Sequence, residues 1–140
     1  MLRIAQSMLR RLVDAAEAAY PEEACALLVG ELGLGDCRRV GRIELAANVA
    51  DDRRSRFEVD PGLRIGLMRE LRGGGDRIVG VWHSHPDHPA LPSATDRAMA
   101  YEPDLVWLIT AVNSGQALQT AAFAVNDYGP GFRPLALVLD

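Results

Sequence analysis

At 140 residues, 49% of them hydrophobic, and with a net charge of −4, the chain can bury one core but shows no basic face for nucleic acid. All fifteen cationic side chains are arginine, so there is no lysine amine to modify. Two cysteines, no run of 18 apolar residues and no basic-then-apolar start argue against a disulfide framework, a membrane span or an export signal, and the expectation is one soluble, cytoplasmic domain over residues 1–140.

Leu2 and Ile4 suggest a short first strand. Met8, Leu9, Leu12, Val13 and Ala16 then recur at helical spacing, with Arg10, Arg11, Asp14 and Glu17 opposite, and Pro21 ends that helix. "EACALLVG" is a continuous apolar run closed by Gly30 and reads as a buried strand. Its Cys25 is expected to be a buried thiol. "GLGDC" is a turn, and Val40, Ile43 and Leu45 mark a strand ending near Asn48. "NVADDRRSR" reads as a solvated loop, with Arg53, Arg54 and Arg56 open to an acidic partner as the alternative. "FEV" reads as a short strand. Asp60 then caps a helix with Pro61 in its first turn, Leu63, Leu67 and Leu71 on one face, and Gly73 to Gly75 at its end. "RIVGVWHSH" is a strand and "PSATDRAMA" a short helix. "LVWLITAV", "TAAFAV" and "PLALVL" are three more strands, the first two joined by an "NSG" turn. The order predicts an α/β fold with a mixed, mostly antiparallel sheet flanked by helices.

The chemistry concentrates in "VWHSHPDHPALPSATD", residues 81–96. His83 and His85 are one residue apart on a strand, so they share a face, and such a pair can hold one metal ion. Zinc takes imidazole nitrogen and carboxylate oxygen, usually as a tetrahedron, which leaves room for a third ligand and a water. Asp96, in the first turn of the next helix, is a candidate for that third place. Pro86, Pro89 and Pro92 restrict the loop between them. "SATD" is also a helix capping box, which alone explains Ser93 and Asp96. Trp82 and Trp107 read as core, His88 as an exposed loop residue, and Ser84 as facing away from the histidines. No H-E-x-x-H helix is present, nor the H-x-E with P-C-x-x-C of zinc deaminases.

His83-x-His85-x10-Asp96, with Pro86 and Ser93 in place, resembles the JAMM signature of the MPN+ metalloprotease family. "PEEACALLVG" resembles that family's glutamate-bearing strand, and "NVADDRRSRFEVDP" its central loop, strand and helix start. The resemblance implies a single JAMM/MPN domain of cytidine-deaminase-like fold. It implies Zn2+ on His83, His85 and Asp96, Glu23 as general base, and Ser93 donating to the scissile carbonyl oxygen. Strand alternation does not choose between Glu22 and Glu23; the family's spacing picks Glu23.

The implied activity is that of a zinc peptidase or isopeptidase acting at the C-terminal tail of a ubiquitin-like protein. The short "RAMAYEPD" connector carries no large insertion, which favours a small sulfur-carrier substrate over polyubiquitin. A non-catalytic protein-binding module is the alternative, as is a peptidase of cell-wall or phage-tail peptides. Nucleic acid and membrane are not expected partners, and a homodimer is left open.

Overall fold

The structure, a computed structural model, describes residues 1–100, 102–126 and 131–140. Among the described residues the strands are β1 (Leu2–Ile4), β2 (Cys25–Leu32), β3 (Arg38–Ala46), β4 (Arg77–Pro86), β5 (Val106–Asn113), β6 (Gln116–Val125), β7 (Phe132–Leu135) and β8 (Leu137–Leu139). The helices are α1 (Gln6–Ala19), α2 (Pro61–Leu71) and α3 (Ala94–Met99). The strands form one mixed sheet in the order β7-β6-β5-β4-β2-β3-β1-β8. The pairs β2–β3, β2–β4, β5–β6 and β6–β7 are antiparallel, while β4–β5, β1–β3 and β1–β8 are parallel.

The expected single strand "PLALVL" is instead two. β7 pairs with β6 at one edge of the sheet and β8 with β1 at the other, with only Ala136 between them. Two residues span at most about 7 Å, so the sheet must curl until its edges nearly meet. The Leu2 N–H donates to the Ala136 carbonyl at 2.8 Å and fixes that junction. Gly30 sits at a bulge in β2, where a Cβ would lie 1.8 Å from the Arg39 carbonyl oxygen; only glycine allows that approach.

Strand parity sorts the core. Ala26, Leu28, Trp82 and Leu108 point to one face and pack under α1 through Leu12 and Ala16; Val79 joins them out of parity because the β2–β4 register shifts beside it. The Trp82 indole N–H donates to Thr110 Oγ1 at 2.9 Å, which satisfies a fully buried donor. Cys25, Val81, Trp107, Ile109 and Phe123 point to the other face. α2 covers the part of that face around Leu27 and Val29 through Leu67 and Leu71, two of the three leucines its spacing aligns; Leu63 is not in this cluster. Asp60 caps α2 by accepting from the Gly62 N–H at 3.2 Å.

"FEV" is not a strand: only Val59 forms one isolated bridge, with Asn48. The reason is that the Asn48 side chain takes up the Arg56 carbonyl and the Glu58 N–H, backbone groups a ladder would need. Phe57 turns inward instead and is buried.

Candidate functional site

His83 and His85 lie on the second face of β4, near its C-terminal end, and both are buried. β2 lies on one side of them, with Cys25 opposite His83, and β5 on the other, with Ile109 opposite His83. The rings are held by different means. His85 Nδ1 bonds the Pro89 carbonyl at 2.9 Å, which makes Nδ1 the protonated nitrogen and leaves a lone pair on Nε2. The His83 ring stacks on Phe57, with centroids 4.4 Å apart, and meets the edge of Trp107 at 5.5 Å.

α3 brings the third group. Its capping box is complete: Ser93 Oγ accepts from the Asp96 N–H at 3.0 Å, and Asp96 Oδ2 accepts from the Ser93 N–H at 2.9 Å. The same Oδ2 lies 3.2 Å from His83 Nε2 and 3.0 Å from His85 Nε2, and the two Nε2 atoms are 3.0 Å apart. The capping and ligand readings of Asp96 are therefore compatible. Ser93 uses its oxygen as an acceptor in the cap, so its O–H is left to donate elsewhere.

Glu23 and Glu22 part company. Glu23 is 5% exposed and faces the histidines, whereas the Glu22 side chain is exposed and pairs with Arg53 at 3.3 Å. Glu23 precedes β2 rather than lying within it, a correction to the strand read from "EACALLVG". Its N–H donates to the Arg53 carbonyl at 2.7 Å. Its Oε1 is buried with no hydrogen-bond partner among the described residues.

The charges follow from the burial. Desolvation pushes the Glu23 carboxyl up to about 8; Asp96 and Asp52 add to this and His85 opposes it. Burial lowers the His83 pKa. Burial alone would lower His85 too, but Asp96, the Pro89 carbonyl and Glu23 together leave it raised. Burial would raise Asp96, but its close contacts with both imidazoles and the hydrogen bond from the Ser93 N–H hold it well below the ordinary carboxylate range.

The donor set fits a cation. Three atoms able to offer lone pairs crowd within 3.0–3.2 Å of one another, an arrangement that a positive ion between them would stabilise. Glu23, His83 and His85 also place one ligand atom each within 4.8 Å of one another, so Glu23 could join a metal group. Asp96 Oδ2, 3.2 Å from His83 Nε2 and 3.0 Å from His85 Nε2, is another atom that could serve as a third donor.

Other residues stand as the sequence suggests. Ser84 points away from the cluster and His88 is exposed. Arg53, Arg54 and Arg56 are exposed, and Cys25 is a buried thiol pushed up to about 12 by burial and by Glu23. Trp107 belongs to the core but also touches the site.

Sequence reasoning missed Asp87 and Asn48. Asp87 takes a left-handed conformation at φ 57°, accepts from the Tyr20 hydroxyl at 2.6 Å and the Ser114 N–H at 2.9 Å, and so pins the loop that leaves His85. Its position directly after His-x-His-Pro was the available signal. A cavity of about 240 Å3 is lined by Leu27, Val81 and Met99 among others, and by Phe57 and Trp107, the two rings that contact His83. A larger hollow of about 720 Å3, beside Leu32, Met68 and Arg72, holds none of the candidate residues.

Fold and site together define an α/β protein with a buried histidine–carboxylate centre suited to a cation. The family model for prokaryotic homologs of the JAB domain matches residues 5–124, and the chain belongs to that family. It is 36% identical over 103 residues to a desampylase from Haloferax volcanii, covering 74% of this chain and 72% of that protein. It is 23% identical over 138 residues to a CysO-cysteine peptidase from Mycobacterium tuberculosis, covering 99% of this chain and 92% of that protein. A JAB1/MPN domain protein from Archaeoglobus fulgidus shares the fold at a TM-score of 0.55 and 20% identity, over 100% of this chain and 97% of that one. No helix among the described residues is long and apolar enough to cross a membrane.

Proposed function

We propose that the chain is a zinc-dependent peptidase or isopeptidase that hydrolyses the amide at the end of the C-terminal tail of a ubiquitin-like or sulfur-carrier protein. The observation that carries this reading is the convergence of His83 Nε2, His85 Nε2 and Asp96 Oδ2 within 3.0–3.2 Å, beside the unpartnered Glu23 Oε1. The names of the two relatives, a desampylase and a CysO-cysteine peptidase, support the substrate class.

His83, His85 and Asp96 would hold the ion. Zinc held there would polarise a carbonyl and lower the pKa of water to about 7. Glu23 acts as the base: Oε1 takes a proton from the attacking water and returns it to the leaving amine. Its carboxyl resists ionisation because it is dry, and a positive ion held beside it would favour the charged form. Ser93 donates its O–H to the carbonyl oxygen as negative charge develops there. Phe57 and Trp107 exclude water around His83 and fix its ring.

The test is zinc content together with hydrolysis of a sulfur carrier bearing a C-terminal amino-acid extension, before and after chelation. The expected result is one zinc per chain and hydrolysis that chelation abolishes and added zinc restores. Hydrolysis untouched by complete metal removal would overturn the reading.

A further inference from the structure

We infer that Asn48 is a positioning residue for Glu23, locking the base and the wall behind His83 into one unit; this rests on the peptidase reading above. A side-chain amide offers two donors and two acceptor lone pairs. Asn48 uses all four on backbone groups. Nδ2 donates to the Glu23 carbonyl at 3.0 Å and to the Arg56 carbonyl at 3.0 Å. Oδ1 accepts from the Ala50 N–H at 3.1 Å and from the Glu58 N–H at 3.0 Å. With carbonyls on one side and N–H groups on the other, only one orientation of the amide satisfies them.

The three segments so joined matter to the chemistry. The first carries Glu23, whose Oε1 is held dry and unpartnered. The second starts the loop that returns through Arg53, whose carbonyl accepts the Glu23 N–H at 2.7 Å. The third carries Phe57, stacked on His83. Neither Glu23 nor Phe57 lies in a ladder of the sheet, so the sheet alone does not fix them. Ser84 fixes Ala24 from the β4 side and Asn48 fixes Glu23 from the loop side. A carboxylate at position 48 would keep the shape and reverse the polarity, aiming an acceptor at two carbonyl oxygens.

The test compares wild type, Asn48→Ala, Asn48→Asp and Leu67→Ala, the last being a core truncation under α2 that controls for lost stability. The first readout is amide hydrogen exchange, well below each melting temperature. In Asn48→Ala the amides of Ala50, Glu58 and Glu23 are expected to lose at least tenfold protection together; in Asn48→Asp, which keeps the acceptor for Ala50 and Glu58, the Glu23 amide is expected to lose it; in both, Leu27 in β2 keeps its own. The Glu23 amide is decisive because it is not bonded to Asn48. The second readout is cleavage of an extended sulfur carrier: kcat falls at least thirtyfold, with KM within threefold and zinc content unchanged. Wild-type protection at the Glu23 amide, or a kcat no lower than that of Leu67→Ala, would overturn the inference. Asn48→Asp, of equal volume, decides the matter if Asn48→Ala does not fold. A wild type that cleaves no carrier removes the peptidase reading, and hydrogen exchange alone then decides whether Asn48 holds Glu23.

Discussion

Ser84 and Ala24 exchange two hydrogen bonds: the Ser84 N–H donates to the Ala24 carbonyl at 3.1 Å, and the Ala24 N–H donates to Ser84 Oγ at 2.8 Å. The serine between the two histidines therefore turns its back on them and grips the residue after Glu23. Ser84→Ala leaves the Ala24 N–H without its partner, a loss of about 1–3 kcal/mol. Urea denaturation should show this as a lower midpoint at unchanged slope, with zinc content unaltered.

Removing Asp96 should remove the ion as well as the α3 cap. Asp96→Ala is expected to bind well under one zinc per chain by elemental analysis of the purified protein. It should also lose about 1 kcal/mol of stability in the metal-free state, from the cap. Zinc retained at one per chain would make Glu23 the third ligand instead.

Ser93→Ala separates the two uses of that residue. The cap acceptor is lost at about 1 kcal/mol, the donor to the carbonyl oxygen is lost too, and catalysis should fall about a hundred- to a thousandfold. Zinc should stay. A steady-state comparison with zinc quantified in the same samples checks both parts.

How much of this was legible follows from which contacts are local. His83 and His85 share a face by strand parity, and Ser93 and Asp96 form their box within one turn, so short patterns displayed both. Phe57 and Asn48 act across 26 and 25 residues, on His83 and Glu23, and nothing in their own neighbourhood marks them. The split at Ala136 was hidden for a similar reason: an apolar run shows burial, not which strand lies beside it. Family spacing picks Glu23 over Glu22, and burial separates the two: Glu23 faces the histidines, while Glu22 points outward to Arg53.

The buried Glu23 makes the metal-free protein sensitive to alkali. Its folded pKa is raised to about 8, against about 4.3 unfolded. Between those values the folded state keeps a proton that the unfolded state has lost, so its contribution to stability falls as pH rises. His85 titrates in the same sense and His83 in the opposite one. Glu23→Gln isolates the term: in chelator, its melting temperature should fall less from pH 5 to pH 8.5 than that of wild type. Equal falls would place Glu23 in a wetter site than the structure shows.

The two thiols should differ in reactivity. Cys25 is buried, with its pKa pushed up to about 12, while Cys37 is partly exposed. Iodoacetamide at pH 8 should add one adduct, on Cys37, by peptide mass mapping; denaturation should release the second.

The most direct test of the central claim is intact-mass spectrometry of a sulfur carrier or ubiquitin-like protein carrying its native C-terminal extension. It would be incubated with the zinc-loaded protein, with Glu23→Ala, and with chelated protein. The account predicts loss of the C-terminal piece with the zinc-loaded protein alone. Equal cleavage by Glu23→Ala, or none by a chain shown to hold one zinc, would contradict it.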